Sequence, residues 1–320
     1  MTKTKIWLIV AAALSVLGII IFVGVMTVNN WNFGVLSTEK FVTNTYDITA
    51  EFSDINISVH TADIEVLPSE DGKCKVVCNE HQKVTHSVEV SGGTLNISIN
   101  DTRKWYDHIQ MFSLGKEKIT IYLPGAEYGK LKLRGSTGAV RTAKDFTFDS
   151  ISVLLSTGKS EILSSAKGLI EVEADTGDIK IADLSARELA LSVSTGKIGV
   201  SNVKIAEDVE ISVSTGDAVL SDLTCRSLSS DGSTGDITLK NVVASEKFSI
   251  KRDTGDVRFE DADAAEIEVE TDTGSVSGSL QSEKIIFATS DTGKIDVPKS
   301  TTGGRCEITT DTGNIKIEIK

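Results

Sequence analysis

The sequence predicts an all-β fold: a single-stranded parallel β-solenoid (β-helix) of about ten 19–20-residue coils with an N-terminal β cap, preceded by one transmembrane helix. Three observations predict it. An uncharged apolar run extends from Ile6 to Val28, a Thr-Gly pair recurs ten times at a spacing of 19 or 20, and apolar residues alternate on both sides of the pair.

The apolar run comes first in the chain. Residues 6–28 are long enough to cross a hydrocarbon core of about 30 Å as a helix. Lys3 and Lys5 precede the run, whereas Asn29 to Glu39 carry no Lys or Arg. The positive-inside rule therefore makes residues 1–5 a cytoplasmic N-terminus and everything after Val28 extracytoplasmic, in a single-pass protein of the cell membrane. A cleaved signal peptide would have a shorter apolar region and a small-x-small site after it, and neither is present. Residues 29–45 read as a stalk.

Residues 46–124 read as an N-terminal β cap, which solenoids need to shield the first coil. Ile55, Ile57, Val59, Ile64 and Val66 form one degenerate coil with Ala62 where a Gly is expected. A hairpin through Gly92 and Gly93 follows, then a loop from Asp101 to Gly115 and a strand from Ile119 to Leu123 ending at Pro124.

Residues 125–320 form the repeat domain. The pair recurs at Thr137, Thr157, Thr176, Thr195, Thr215, Thr234, Thr254, Thr273, Thr292 and Thr312. A fixed period of this size marks units that bury their apolar faces only by stacking on one another. Runs such as Leu189, Leu191, Val193 and Ile179, Ile181 have period two, so they are strands with one buried face. The Gly supplies the positive φ of a tight corner, and the Ser or Asp before the Thr can bond the turn backbone. A second polar corner follows at Asp183, Asn202, Asp222, Asn241 and Asp261. The last strand, Asn314 to Lys320, alternates Ile with Lys and Glu, charges that suit an open sheet edge.

The formal charge of −13 excludes nucleic acid as a main ligand, because phosphate binding needs clustered cations. Asp-Thr-Gly, at Asp175, Asp253, Asp272, Asp291 and Asp311, is the triplet of aspartic proteases. Ser fills the same place in five other corners, and the protease needs two carboxylates sharing a proton across a cleft rather than a column along a rod. The column Asp253, Asp272, Asp291 and Asp311 puts like charges on four adjacent coils. Turn N–H groups can relieve them, and so can a cation such as Ca²⁺; the hydrogen-bonded corner is the favoured reading. Cys74, Cys78, His81 and His86 fall within thirteen residues, but at a spacing wrong for a zinc finger. Cys74, Val76 and Cys78 share one strand face, so the expected role is that of small buried side chains, and all four Cys, including Cys225 and Cys306, read as free. All four His precede the repeat, so no Ser-His-Asp triad can form within the rod. No cofactor is implied.

The segment from Arg103 to Phe112 is the densest in aromatics outside the membrane run. Trp105, Tyr106 and Phe112 are the candidate partner-binding residues, since aromatics with Arg and Met are typical interface anchors; sealing the end of the solenoid is the other role they fit.

The run Ile119 to Pro124 (Ile-Thr-Ile-Tyr-Leu-Pro), followed by repeated Ser-Thr-Gly or Asp-Thr-Gly-Asp-Ile corners, resembles the bacterial adhesin-like DUF4097 family and membrane-anchored envelope-stress accessory proteins that carry such repeats. The resemblance covers roughly residues 45 to 320 and implies a β-solenoid without catalytic residues. The expected function is a membrane-anchored, non-enzymatic interaction scaffold, an adhesin or an envelope-stress accessory, with an unidentified protein or cell-surface glycan as partner. The competing class is a carbohydrate-active or cation-binding cell-surface solenoid.

Overall fold

The computed structural model describes residues 3–31, 41–102 and 117–320. Helix α1 (Lys3–Val28) is long and apolar enough to cross a membrane. Its few hydroxyls fold back onto its own backbone: Ser15 donates to the Ala11 carbonyl at 3.0 Å and Thr27 to the Val23 carbonyl at 2.8 Å. The helix ends where Asn30 and Trp31 turn to φ of 49° and 57°.

The rest of the described chain is β structure. Seven strands build the N-terminal part: β1 (Phe41–Ile48), β2 (Asp54–Thr61), β3 (Asp63–Pro68), β4 (Cys74–His81), β5 (Val84–Ser91), β6 (Thr94–Asp101) and β7 (Lys118–Leu123). Next come β8 (Glu127–Thr137) and β9 (Val140–Thr142), the first coil with a Thr-Gly corner. Strand β1 takes in residues 41–45, which the sequence reading assigns to the stalk. Its Val, Thr and Tyr content suits a pleated, half-buried strand, and it pairs antiparallel with β4.

From β8 onward, coils stack in parallel and in register, with Thr on Thr at every corner from Thr137 to Thr273. Each coil has three inward-facing runs, for example Ile198 and Val200, then Val203 and Ile205, then Val209, Ile211 and Val213, all buried. Three turns separate them. At the first, Gly196 has a φ of +148°, and a Cβ there would lie 1.9 Å from the Gly177 carbonyl oxygen of the coil below. Glycine is thus required twice over, by conformation and by the close approach of the next backbone. The second turn is the polar corner read from the sequence: Asp183, Asn202, Asp222, Asn241 and Asp261 all have φ between 50° and 57°. Along this column Asn202 donates to Asp183 and Asn241 to Asp222, both at 2.7 Å. Alternating amide with carboxylate doubles the distance between like charges and so halves their repulsion. The third turn lies near Ala206 and Glu207, where Glu207 N donates to the Arg187 carbonyl at 2.8 Å.

Both ends depart from sequence order. Strands β2 and β3 form the degenerate coil, with Thr61 in register on Thr137 and Ile64 on Val140. Strands β6 and β7 stack on its other side, parallel to β2 and β3. The hairpin through Gly92 and Gly93 then folds β5 antiparallel onto β6, and β4 runs antiparallel to β7. At the far end, Gly304–Thr312 pairs with Val257–Thr273 on one side and with Lys284–Thr292 on the other. Ile315–Ile319 pairs along its length with Val276–Leu280, and its first two residues, Ile315 and Lys316, pair on the other side with Ile295 and Asp296. The expectation that Asn314 to Lys320 forms the open edge is therefore corrected: that strand is internal, and the coil of Lys284–Asp296 is outermost. Pro298 supplies a physical reason, because a chain that lacks an N–H there cannot extend a ladder on both sides, whereas Ile315 to Ile319 can.

Candidate functional site

Trp105, Tyr106 and Phe112 lie outside the described residues. Their segment joins β6 to β7 in the chain. The described residue that follows it, Glu117, lies at the Thr-Gly edge, where its side chain accepts from the Thr61 hydroxyl at 3.1 Å and its carbonyl accepts from Asp63 N at 2.9 Å.

The Asp column is exposed on the same edge, in the spatial order Asp253, Asp272, Asp311, Asp291, because the coil of Thr312 lies between those of Thr273 and Thr292. The side chains that bond the corner backbone belong to another column, the residue after the Gly. Asp236 Oδ1 accepts from Asp256 N at 2.8 Å, Asp256 Oδ1 from Ser275 N at 2.8 Å and Asn314 Oδ1 from Lys294 N at 2.9 Å. Asp63 does the same for Ala139 N at 2.8 Å. In this column Lys197 donates to Asp217 at 2.9 Å, and that bond holds the Asp217 carboxyl below its usual range.

The cluster of Cys and His is divided. Cys74, Val76, Cys78 and Glu80 share the buried face of β4. Burial pushes the Cys74 thiol up to about 11 and the Cys78 thiol to about 12, the latter helped by the Glu80 charge. His81 points the other way and meets the Phe41 ring edge-on at 6.2 Å. His86 turns inward from β5, and Cys78, Glu80 and His86 bring donor atoms within 4.8 Å of one another. The Glu80 carboxylate is fully buried and accepts from His86 N at 2.7 Å, from His86 Nδ1 at 2.7 Å and from Asn44 Nδ2 at 2.5 Å. His86 Nε2 is buried with no hydrogen-bond partner among the described residues. Leaving such a group unpaired costs about 1–3 kcal/mol. Glu80 was missed at the sequence level, although its position two residues after Cys78 on a strand places it on the same face.

Arg252 was missed as well. Its guanidinium lies inside the rod, donating to Ser230 Oγ and the Lys251 carbonyl, both at 2.9 Å, and burial lowers its pKa. Gly232 makes room for it, since a Cβ there would lie 2.6 Å from Arg252 Nη1. The signal was the replacement of an inward Ile and Val by Ser230 and Gly232 in one coil.

On the outer face a groove of about 410 Å³ is lined by Glu171, Glu173, Ser192, Glu210, Ser212 and Asp231. Carboxylates and hydroxyls there can accept hydrogen bonds from sugar hydroxyls, and the carboxylates can coordinate cations.

The Toastrack DUF4097 model matches this chain twice in succession, over residues 52–207 and 204–320. The chain belongs to the Toastrack DUF4097 family. No curated protein matches it. Among solved structures, this Toastrack chain is similar to a "putative adhesin" from Parabacteroides distasonis, 13% identical at a TM-score of 0.50, over 87% of this chain and 98% of that one. It is also similar to a "Putative lipid binding protein" from the same species, 17% identical at a TM-score of 0.49, over 86% of this chain and 97% of that one. A "putative adhesin" from Bacteroides fragilis is 17% identical at a TM-score of 0.40, over 88% and 98% of the two chains. The first of these, at a TM-score of 0.50, is a likeness of fold.

Proposed function

We propose that the protein is a membrane-anchored, non-enzymatic interaction scaffold that holds its solenoid outside the cytoplasm and engages a protein or glycan of the cell envelope. Helix α1 is the anchor, with Lys3 and Lys5 on the cytoplasmic side. The observation that carries the reading is the closeness of the coils at the Thr-Gly edge. From Gly138 to Gly255 a Cβ at the corner would lie 1.7–2.1 Å from a backbone oxygen of the neighbouring coil. Corners so tight leave no space there for the long loops from which groove-type solenoid enzymes build their sites. The segment 103–116 carries Trp105, Tyr106 and Phe112, the residues proposed to grip the partner. The name of adhesin carried by a protein of the same fold is in keeping with this class, and an envelope-stress accessory role is the finer reading.

Two measurements test it. Protease added to intact cells with a permeable wall is expected to degrade the solenoid, and protection would reverse the orientation. Full-length protein in detergent is expected to be retained by isolated cell envelopes, and changing Trp105, Tyr106 and Phe112 together to Ser is expected to abolish retention without lowering the melting temperature. A folded triple variant that is still retained would move the site to the rod.

A further inference from the structure

We propose that Cys78, Glu80 and His86 form a buried site for a zinc-class divalent metal ion, which ties the β4–β5 hairpin to the strand that follows α1. Two independent observations carry it. A thiol, a carboxylate and an imidazole, all buried, have donor atoms within 4.8 Å of one another. In addition, His86 Nε2 is buried without a hydrogen-bond partner among the described residues, an arrangement that a simple Glu-His pair leaves unexplained.

The donor set fits. Thiolate with imidazole selects zinc and its transition-metal neighbours over calcium and magnesium, which prefer all-oxygen shells. Three protein ligands with one position left for water is an arrangement zinc accepts. Bonds of 2.0–2.3 Å in a tetrahedral site put donor atoms roughly 3.3–3.8 Å apart, so closing the site asks for movement of about 1 Å. Charge balances as well: one thiolate, one carboxylate and a neutral imidazole around a dication sum to zero inside an apolar cap. On binding, the Cys78 S–H bond breaks, a sulfur–metal bond forms and the proton leaves to solvent. The bonds Glu80 already accepts from His86 N and Asn44 Nδ2 hold the carboxylate in place, as outer partners do for metal-bound carboxylates.

The site lies where strand β1 is fastened. Asn44 of β1 donates to Glu80, and Tyr46 of β1 donates to the His86 carbonyl at 3.1 Å. A metal there would rigidify the contact between the solenoid and the chain leading from the helix.

The test uses the full chain in detergent, diluted from denaturant into buffer carrying Co²⁺ so that the closed cap does not bar entry. One Co²⁺ per chain is expected, with a thiolate-to-cobalt charge-transfer band and the visible bands of a tetrahedral ion. Zn²⁺ should displace it, and a large excess of Ca²⁺ or Mg²⁺ should not. Cys78→Ser should remove the thiolate band, and His86→Gln should weaken Zn²⁺ binding by at least about tenfold. Cys74→Ser, on the same strand face, should change neither. Wild-type protein that refolds by circular dichroism without taking up cobalt overturns the proposal. So does a thiolate band that survives in Cys78→Ser.

Discussion

At the N-terminal end of the rod the last parallel strands, β6 and β7, are met by antiparallel ones, β5 and β4, and β4 in turn by β1. At the C-terminal end the chain overshoots, lays down Lys284–Asp296 as the outermost coil, and returns to insert Gly304–Ile319 beneath it. The first device reverses strand direction, so that the stack of Thr-Gly corners cannot be continued by another parallel coil. The second keeps the parallel direction and ends the ladder with a coil in which Pro298 lacks a donor. Each end also encloses a polar pair: Glu80 hydrogen-bonded to His86 in the cap, and Lys284 with Asp263 at 2.6 Å in the last coils. An edge in a solenoid can thus be closed by turning strands round or by re-entering the stack, and only re-entry makes the terminal residues part of the core.

The largest expected effect follows from that re-entry. Removing Asn314 to Lys320 withdraws Ile315 and Ile317, 0% and 2% exposed, from between two coils. At about 1.5–3 kcal/mol for each buried Ile, the loss is about 3–6 kcal/mol, and hydrogen exchange should become fast from Val276 onward. An edge strand would cost far less, and exchange unchanged outside the deleted segment would refute the enclosed arrangement.

Glycine substitutions sharpen the contrast between rod and cap. Gly196→Val should cost about 3 kcal/mol or more, because the side chain meets the Gly177 carbonyl as well as a left-handed φ. Gly92→Ala in the cap hairpin has nothing within 4 Å of its Cβ and only a φ of +58° to resist, so about 1 kcal/mol is expected. Thermal melts that reverse this order would mean that the stacked backbones are not in contact.

A smaller effect separates the partners of the pair at the C-terminal end. Asp263→Ala leaves the Lys284 ammonium, with a side chain 3% exposed, without its carboxylate, and should cost about 2 kcal/mol. Lys284→Met leaves Asp263, 19% exposed and within reach of water, and should cost less. Equal denaturant midpoints for the two variants would contradict the burial assigned to the lysine.

The sequence made the repeating coil legible because each coil must solve the same two problems. Every Thr-Gly corner stacked on its neighbour needs its Gly, and Asp183, Asn202, Asp222, Asn241 and Asp261 each need a side chain that tolerates a left-handed φ. Coil order was not legible, since equivalent coils present equivalent edges and a Thr-Gly period does not say which coil is last. Pro298 was the available clue. Strand β1 was hidden in a segment too weakly apolar to separate from a stalk, because its burial comes from one-sided packing on β4. Of the candidate site residues, the Asp column sits on the corner edge as the period requires, whereas the hydrogen-bonding column lies three residues later, after the Gly. Glu80 and Arg252 escaped because a buried charge breaks the apolar pattern and reads as an outward residue until its partners are seen.

Cross-linking of engineered cysteines tests the re-entrant end most directly. Thr273 and Thr312 are in register on adjacent strands, and Thr292 lies one strand farther out. Adjacent strands are about 4.8 Å apart, within the Cα range of a disulfide, and two strand spacings are about 9.6 Å, outside it. Oxidation should therefore link Thr273→Cys to Thr312→Cys in the folded full-length chain and leave the pair Thr273→Cys and Thr292→Cys unlinked. Coils stacked in sequence order would give the opposite pattern, with 273 joined to 292 and not to 312, and that result would contradict the account.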